Sequence, residues 1–170
     1  MVIILSIISI ITSFAVYTYY STISKKNLEM AAEHIANDLK LAKSEAKTRN
    51  KNIYVSFSDP GENWCYGINE DSPCDCTQAD QCKLRGVNKV FNNNNFRNIQ
   101  LQKARFAGGG SSTAFDPKRG FATGNGSKNG TIWLKNTIGE QIAVIINRLG
   151  RIRFCSPTLG GYSHQCPTPP

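Results

Sequence analysis

Three arginines near the C-terminus, Arg148, Arg151 and Arg153, fall within six residues and are the side chains best suited to holding a ligand. Strand alternation puts Arg151 and Arg153 on one side, with Ile152 and Phe154 on the other. Guanidinium forks at that spacing can clamp successive phosphates, and neutralising a phosphate backbone binds nucleic acid without reading its sequence. The charge distribution agrees. The net charge is +8, with +2 on residues 1–50, −3 on residues 51–86 and +9 on residues 87–170, where eleven Lys/Arg face two Asp/Glu. Lys103 and Arg105 extend the candidate surface, with Lys118 and Arg119 as weaker additions. The competing reading is a solvated sheet edge, because exposed Lys and Arg also discourage strands from pairing edge to edge.

Cys65, Cys74, Cys76, Cys82, Cys155 and Cys166 form the second reactive set. An even count, confined to the downstream part, suits a disulfide-permissive compartment. Structural zinc favours paired C-x2–4-C ligands, whereas Cys74 and Cys76 are one residue apart and His34 and His164 are the only histidines. Disulfides are therefore expected, and no metal or cofactor. Cys155 is expected to pair with Cys166 and tie down a tail of turn composition, residues 155–170. Pairing among the other four stays open. The sequence suggests no catalytic constellation: there is no Ser/His/Asp grouping, no phosphate-binding glycine loop and no H-E-x-x-H.

An N-terminal rod must carry this domain. The first 24 residues have no charged side chain, and Met1–Tyr20, at about 1.5 Å per residue, matches a hydrocarbon core of roughly 30 Å. Residues 1–21 are expected to be the transmembrane part of the helix. No Lys or Arg precedes Lys25, and Tyr17, Tyr19 and Tyr20 stand where a cleavage site wants small residues, so this is not a cleaved secretory signal. Lys25 and Lys26 would pull the downstream part inward, and the cysteines argue for the opposite side. Beyond the span, Leu28, Ala31, Ala32, Ile35, Leu39, Ala42 and Ala46 recur at helical spacing, and no Gly or Pro occurs before Pro60. One helix is predicted to continue to about residue 50, with an apolar stripe that something downstream must cover.

The cover is predicted to be β-rich, residues 51–154. Ile53, Val55 and Phe57 alternate with polar residues, Ile99-Gln-Leu-Gln is a weaker run, and Thr131–Leu134, Gln141–Asn147 and Arg151–Phe154 look like an antiparallel meander. Turn signals at Gly108-Gly-Gly, Arg119-Gly, Gly124-Asn-Gly, Asn129-Gly and Leu149-Gly separate them. Asp59–Arg85 reads as a long polar loop and Asn92–Asn95 as a loop. The soluble part, residues 22–170, is thus expected to be a single α+β domain with the helix packed on an antiparallel sheet.

The rod, the segment Leu39-Lys-Leu-Ala-Lys-Ser-Glu-Ala-Lys-Thr-Arg-Asn, the F-x-x-x-x-G element Phe115-Asp-Pro-Lys-Arg-Gly and the closing Gly150-Arg-Ile-Arg together resemble type IV minor pilins and pseudopilins of the FimT/GspH kind. The resemblance implies a type IV pilin-like fold, a short basic leader and a G-F-T-L-I-E motif preceding Met1, so that this sequence is truncated. Ala15-Val-Tyr17 stands where that family has A-[IV]-P, with Tyr in place of the kink-forming Pro. The resemblance also implies an inner-membrane protein with a periplasmic domain, other pilins as partners in a cell-surface fibre, and double-stranded DNA as the ligand of the G-R-x-R arginines during natural transformation. The alternative is a structural subunit that primes pilus or type II secretion pseudopilus assembly without binding DNA.

Overall fold

The computed structural model describes the backbone of residues 2–58, 61–123, 129–163 and 165–168, and the side chains of those from residue 19 onward, Thr123 excepted. The side chains of the apolar run Met1–Val16, the turn signal Gly124-Asn-Gly and His164 lie outside the described residues.

Helix α1, Val2–Arg49, is one unbroken element of 48 residues. It passes through Tyr17 without interruption, in keeping with the lack of Gly and Pro. Leu28, Ala31, Ala32, Ile35, Leu39, Ala42 and Ala46 are all at most 1% exposed. Four of these seven are alanines, which let the helix approach its cover closely, while Leu28, Ile35 and Leu39 supply the bulk. Truncating one such buried aliphatic to alanine typically costs about 2–5 kcal/mol. Lys47 and Arg49 occupy the last turn, where cations meet unpaired helix carbonyls. Among the described residues no helix is long and apolar enough to cross a membrane.

The strands are β1 (Ile53–Phe57), β2 (Cys65–Glu70), β3 (Lys83–Leu84), β4 (Val87–Asn88), β5 (Val90–Asn92), β6 (Ile99–Phe106), β7 (Ser112–Phe115), β8 (Ala122–Thr123), β9 (Gly130–Asn136), β10 (Gln141–Ile146) and β11 (Ile152–Cys155). They divide between two antiparallel sheets and a ribbon: one sheet has the order β5-β2-β1-β7-β8, the other β11-β10-β9-β6, and β3-β4 stands apart. Helix α1 covers both. The core cluster joins its stripe to Ile53, Val55, Tyr66 and Ile68 of the first sheet and to Ile132, Leu134, Ile142, Val144 and Ile146 of the second.

Asp59–Arg85 is not the long loop that its composition suggests. Strand β2 runs through it, paired with β1 from Tyr66 to Glu70, with Ile68 opposite Val55. Its first four residues are all buried, so it lacks the alternation that marks a half-exposed strand. Tyr66 and Ile68 face the helix. On the other face lie two disulfides, Cys65–Cys76 and Cys74–Cys82. Gly67 is required there, because a Cβ at that position would run into the Cys82 side chain. The asparagine run forms a single 3-10 turn, Asn93–Asn95, capped by Asn92.

Candidate functional site

Register decides which basic residues share a surface. Ile145 pairs with Arg153 and with Thr131, and Thr131 pairs with Arg105. Directly paired residues of an antiparallel sheet stand on the same face, so Arg153, Ile145, Thr131 and Arg105 form one row across four strands. Three strand spacings of about 4.8 Å set the two arginine backbones about 14 Å apart. The neighbouring row is Cys155, Ala143, Trp133 and Lys103. Both rows lie on the face away from α1, since the alternate residues Ile132, Leu134, Ile142 and Val144 are those in the helix core.

Lys103 and Arg105 reach this face only because of a β-bulge. The register with β9 shifts between Leu101 and Lys103, so that Lys103 and not Gln102 stands opposite Trp133. Uninterrupted alternation from Ile99 and Leu101 would turn both basic residues toward the helix, as a one-residue slip exchanges the faces of a strand. With the bulge, Ala104 and Phe106 point inward instead. Ile152 and Phe154 also pack inward while Arg151 and Arg153 are exposed, which is the alternation expected of that segment.

The middle of the outer face is covered by the tail. Cys155 and Cys166 form a disulfide. Cys166 packs on a small cluster of Trp133, Ala143, Ile145 and Cys155. The Ser156 hydroxyl donates to the Gln141 carbonyl at 2.5 Å. Between the tail residues Pro167 and Thr168 and strands β6 and β9 runs an open cleft of about 350 Å³, lined by Lys103, Arg105 and Thr131 among others.

Arg148 belongs to the turn joining β10 and β11, and Arg151 closes it. Asn147 organises that turn: its carbonyl accepts from Gly150 N at 2.9 Å and its side-chain oxygen from Arg151 N at 2.9 Å. Gly150 has φ +68, and a Cβ there would lie 2.5 Å from the Gly120 carbonyl oxygen. The F-x-x-x-x-G and G-R-x-R elements, far apart in sequence, therefore meet glycine to glycine. Ala122 N donates to the Arg148 carbonyl at 3.1 Å, which ties the two sheets together at this point. Lys43 of α1 completes the junction, donating to the carbonyls of Leu149 at 3.2 Å and Gly150 at 3.0 Å. Partial burial, and secondarily the charge of Lys47, lower the pKa of Lys43 from its ordinary value. Sequence reasoning overlooked Lys43 as a support for the turn; its place in the distinctive Leu39–Asn50 segment was the available signal.

Beside this turn, Asp116 accepts from Phe121 N at 2.7 Å and from Arg119 N at 3.2 Å, shaping the loop that carries exposed Lys118 and Arg119. The Arg119 guanidinium lies 5.8 Å from the centre of the Phe121 ring. Among the described residues, none of Arg148, Arg151, Arg153, Lys103, Arg105, Lys118 and Arg119 forms an ion pair. The cations on the other flank of α1 behave differently. Arg85 makes a two-pronged contact with buried Glu45 at 2.7 and 2.9 Å. Arg49 and Lys51 both engage Glu70. The Arg85 backbone N–H first, and then the Arg49 and Lys51 side chains, hold the Glu70 carboxyl below its usual range. Among the described residues no group of His, Cys, Asp and Glu could hold a metal ion.

A family model described as type II transport protein GspH matches residues 31–150. No curated protein and no solved structure matches the chain. The matched stretch runs from the buried stripe of α1 through the Gly120–Gly150 junction, and it ends just before Arg151 and Arg153. A helix laid over antiparallel sheets and a match over most of the chain lead to the same conclusion: this chain belongs to the GspH family of type II transport proteins, the pseudopilins and minor pilins that associate in a fibre.

Proposed function

We propose that this chain is a minor pilin of a type IV pilus that binds extracellular double-stranded DNA, without sequence preference, during DNA uptake in natural transformation. The observation that carries this reading is the set of exposed arginines, Arg148, Arg151 and Arg153, that have no carboxylate partner among the described residues. Cations left unpaired beside others that are stapled to Glu45 and Glu70 are available to phosphates. Lys103 and Arg105 are lesser contributors on the same face. The orientation of α1 supports it. The Tyr20 hydroxyl lies 3.5 Å from Thr137 in the β9–β10 turn, whereas Lys43 supports the β10–β11 turn. From Tyr20 to Lys43 the helix advances about 35 Å. With residues 1–21 in the inner membrane before assembly, and residues 22–170 periplasmic, the arginine turn lies at the end away from the bilayer. The three disulfides suit that compartment.

The test is a salt-titrated binding measurement with the purified full chain and a duplex of mixed sequence. Replacing Arg151 and Arg153 by Gln together should weaken binding at least about tenfold. Each arginine lost should lower the salt slope by about one. In cells the double variant should lose transformation and keep its pili. Undiminished DNA binding would reduce the cluster to a solvated edge. Loss of pili would favour a second reading, a structural pseudopilin that primes pilus or secretion pseudopilus assembly; the type II transport description of the family favours it independently.

A further inference from the structure

The tip of the arginine turn is apolar. Leu149 is 57% exposed, between Arg148 and Gly150, and its backbone carbonyl is held by Lys43 at 3.2 Å. A large aliphatic at the apex of a turn clamped by Asn147, Ala122 and Lys43 is presented rigidly, with no core to enter. We infer that Leu149 is a wedge that enters the minor groove of the bound duplex while Arg148 and Arg151 take the phosphates on either side. This deepens the DNA-binding reading and rests on it.

Three observations favour this partner. A sheet is too broad for a groove roughly 6 Å wide, whereas the apex of a three-residue hairpin loop is narrow enough to enter. The flanking charges are complementary: Arg148 and Arg151 adjoin Leu149 and Lys118 and Arg119 lie on the loop packed against this turn, and basic residues beside an apolar wedge are the usual equipment of minor-groove binders. The molecule also contains its own control. Ile138, 43% exposed, occupies the matching place in the β9–β10 turn, where its neighbours are Thr137 and Glu140 and not arginines.

An apolar contact releases no counterions, so it leaves a signature unlike that of an arginine. In binding titrations of the full chain with a 30-base-pair duplex, Leu149→Ala should weaken binding about tenfold with an unchanged salt slope, whereas Arg151→Gln should lower the slope by about one. Ile138→Ala should do neither. Occupying the minor groove with distamycin should displace the native chain. Leu149 is exposed, so its removal should leave the melting temperature unchanged. Native affinity in Leu149→Ala, or indifference to distamycin, overturns the wedge while the phosphate-contact reading stands. If the native chain binds no duplex at any salt, the parent reading falls and the wedge with it. Normal DNA binding combined with lost fibre assembly in Leu149→Ala assigns the residue to a pilin contact and likewise overturns the inference.

Discussion

In the β9–β10 turn, Asn136 accepts Gly139 N on its carbonyl at 3.2 Å and Glu140 N on its side chain at 2.8 Å. In the β10–β11 turn, Asn147 does the same for Gly150 N and Arg151 N, each at 2.9 Å. The glycines are left-handed in both, with φ +93 and +68, and each apex carries an exposed aliphatic, Ile138 or Leu149. Beyond one extra bond, from Asn136 Nδ2 to the Glu140 carboxylate at 2.8 Å, what differs lies in the flanks. One is flanked by Thr137 and Glu140 and rests near Tyr20; the other is flanked by Arg148 and Arg151 and rests on Lys43. The Asn-x-x-Gly spacing thus specifies the shape of the turn, and the residues free of that duty specify what the turn meets. On the proposed reading, two turns of like design at opposite ends of one sheet serve a packing role and a binding role.

The most drastic way to break the contrast is to rewrite one turn as the other. Arg148→Thr with Arg151→Glu copies the β9–β10 flanks onto the β10–β11 turn, and it should lower DNA affinity about a hundredfold or more in low-salt titrations. Retained affinity would mean that the flanks do not set the role. A smaller effect separates the two glycines. An L-residue held in the left-handed region costs about 1–2 kcal/mol, and Gly139 has nothing within 4 Å of the place a Cβ would take, so Gly139→Ala should cost about that in urea unfolding. Gly150→Ala must also displace the Gly120 carbonyl and should cost at least about 1 kcal/mol more. Equal costs would show that the junction yields.

The mildest expected effect concerns acid and should spare both turns. Glu70 is held below its ordinary pKa in the folded chain, so the stability it contributes is present above the ordinary carboxylate pKa and lost as pH falls through the depressed folded value. Thermal unfolding followed from pH 6 down to about 3 should therefore show a loss that Glu70→Gln flattens. Neither glycine substitution should alter that limb.

Much of the scaffold was legible because its signals are local. The stripe from Leu28 to Ala46 has the spacing of a helix face, and the β9–β10–β11 meander is punctuated by Gly and Asn. Strand β2 was not legible, since Cys65 and Gly67 face disulfides while Tyr66 and Ile68 face the helix, and burial on both sides erases alternation. Nor could composition divide the strands between two sheets, because β1 pairs with the distant β7 as well as with the adjoining β2. In the candidate site, the outward pairing of Arg151 and Arg153 follows from period two alone. The common face of Arg153 and Arg105 does not, because it depends on register through three ladders and on a bulge whose only trace is the polar Gln102 in an otherwise alternating run.

The order of the cysteines along the chain has a consequence for how the protein matures. Four cysteines allow three pairings, and the one adopted is interleaved: Cys74 lies inside the ring closed by Cys65–Cys76, and Cys76 inside the ring closed by Cys74–Cys82. A chain oxidised as its thiols emerge one after another joins Cys65 to Cys74 first, which is the wrong partner for both. Gly67 of β2 lies directly beneath the Cys82 sulfur, so the native cover of that strand is the Cys74–Cys82 bond, which a Cys65–Cys74 bond excludes. Reaching the native arrangement then requires thiol–disulfide exchange, with a free thiolate attacking the premature bond. An interleaved pair of rings is therefore expected to form faster when a disulfide isomerase accompanies the oxidant, and refolding of the reduced chain with and without one is the measurement that checks it.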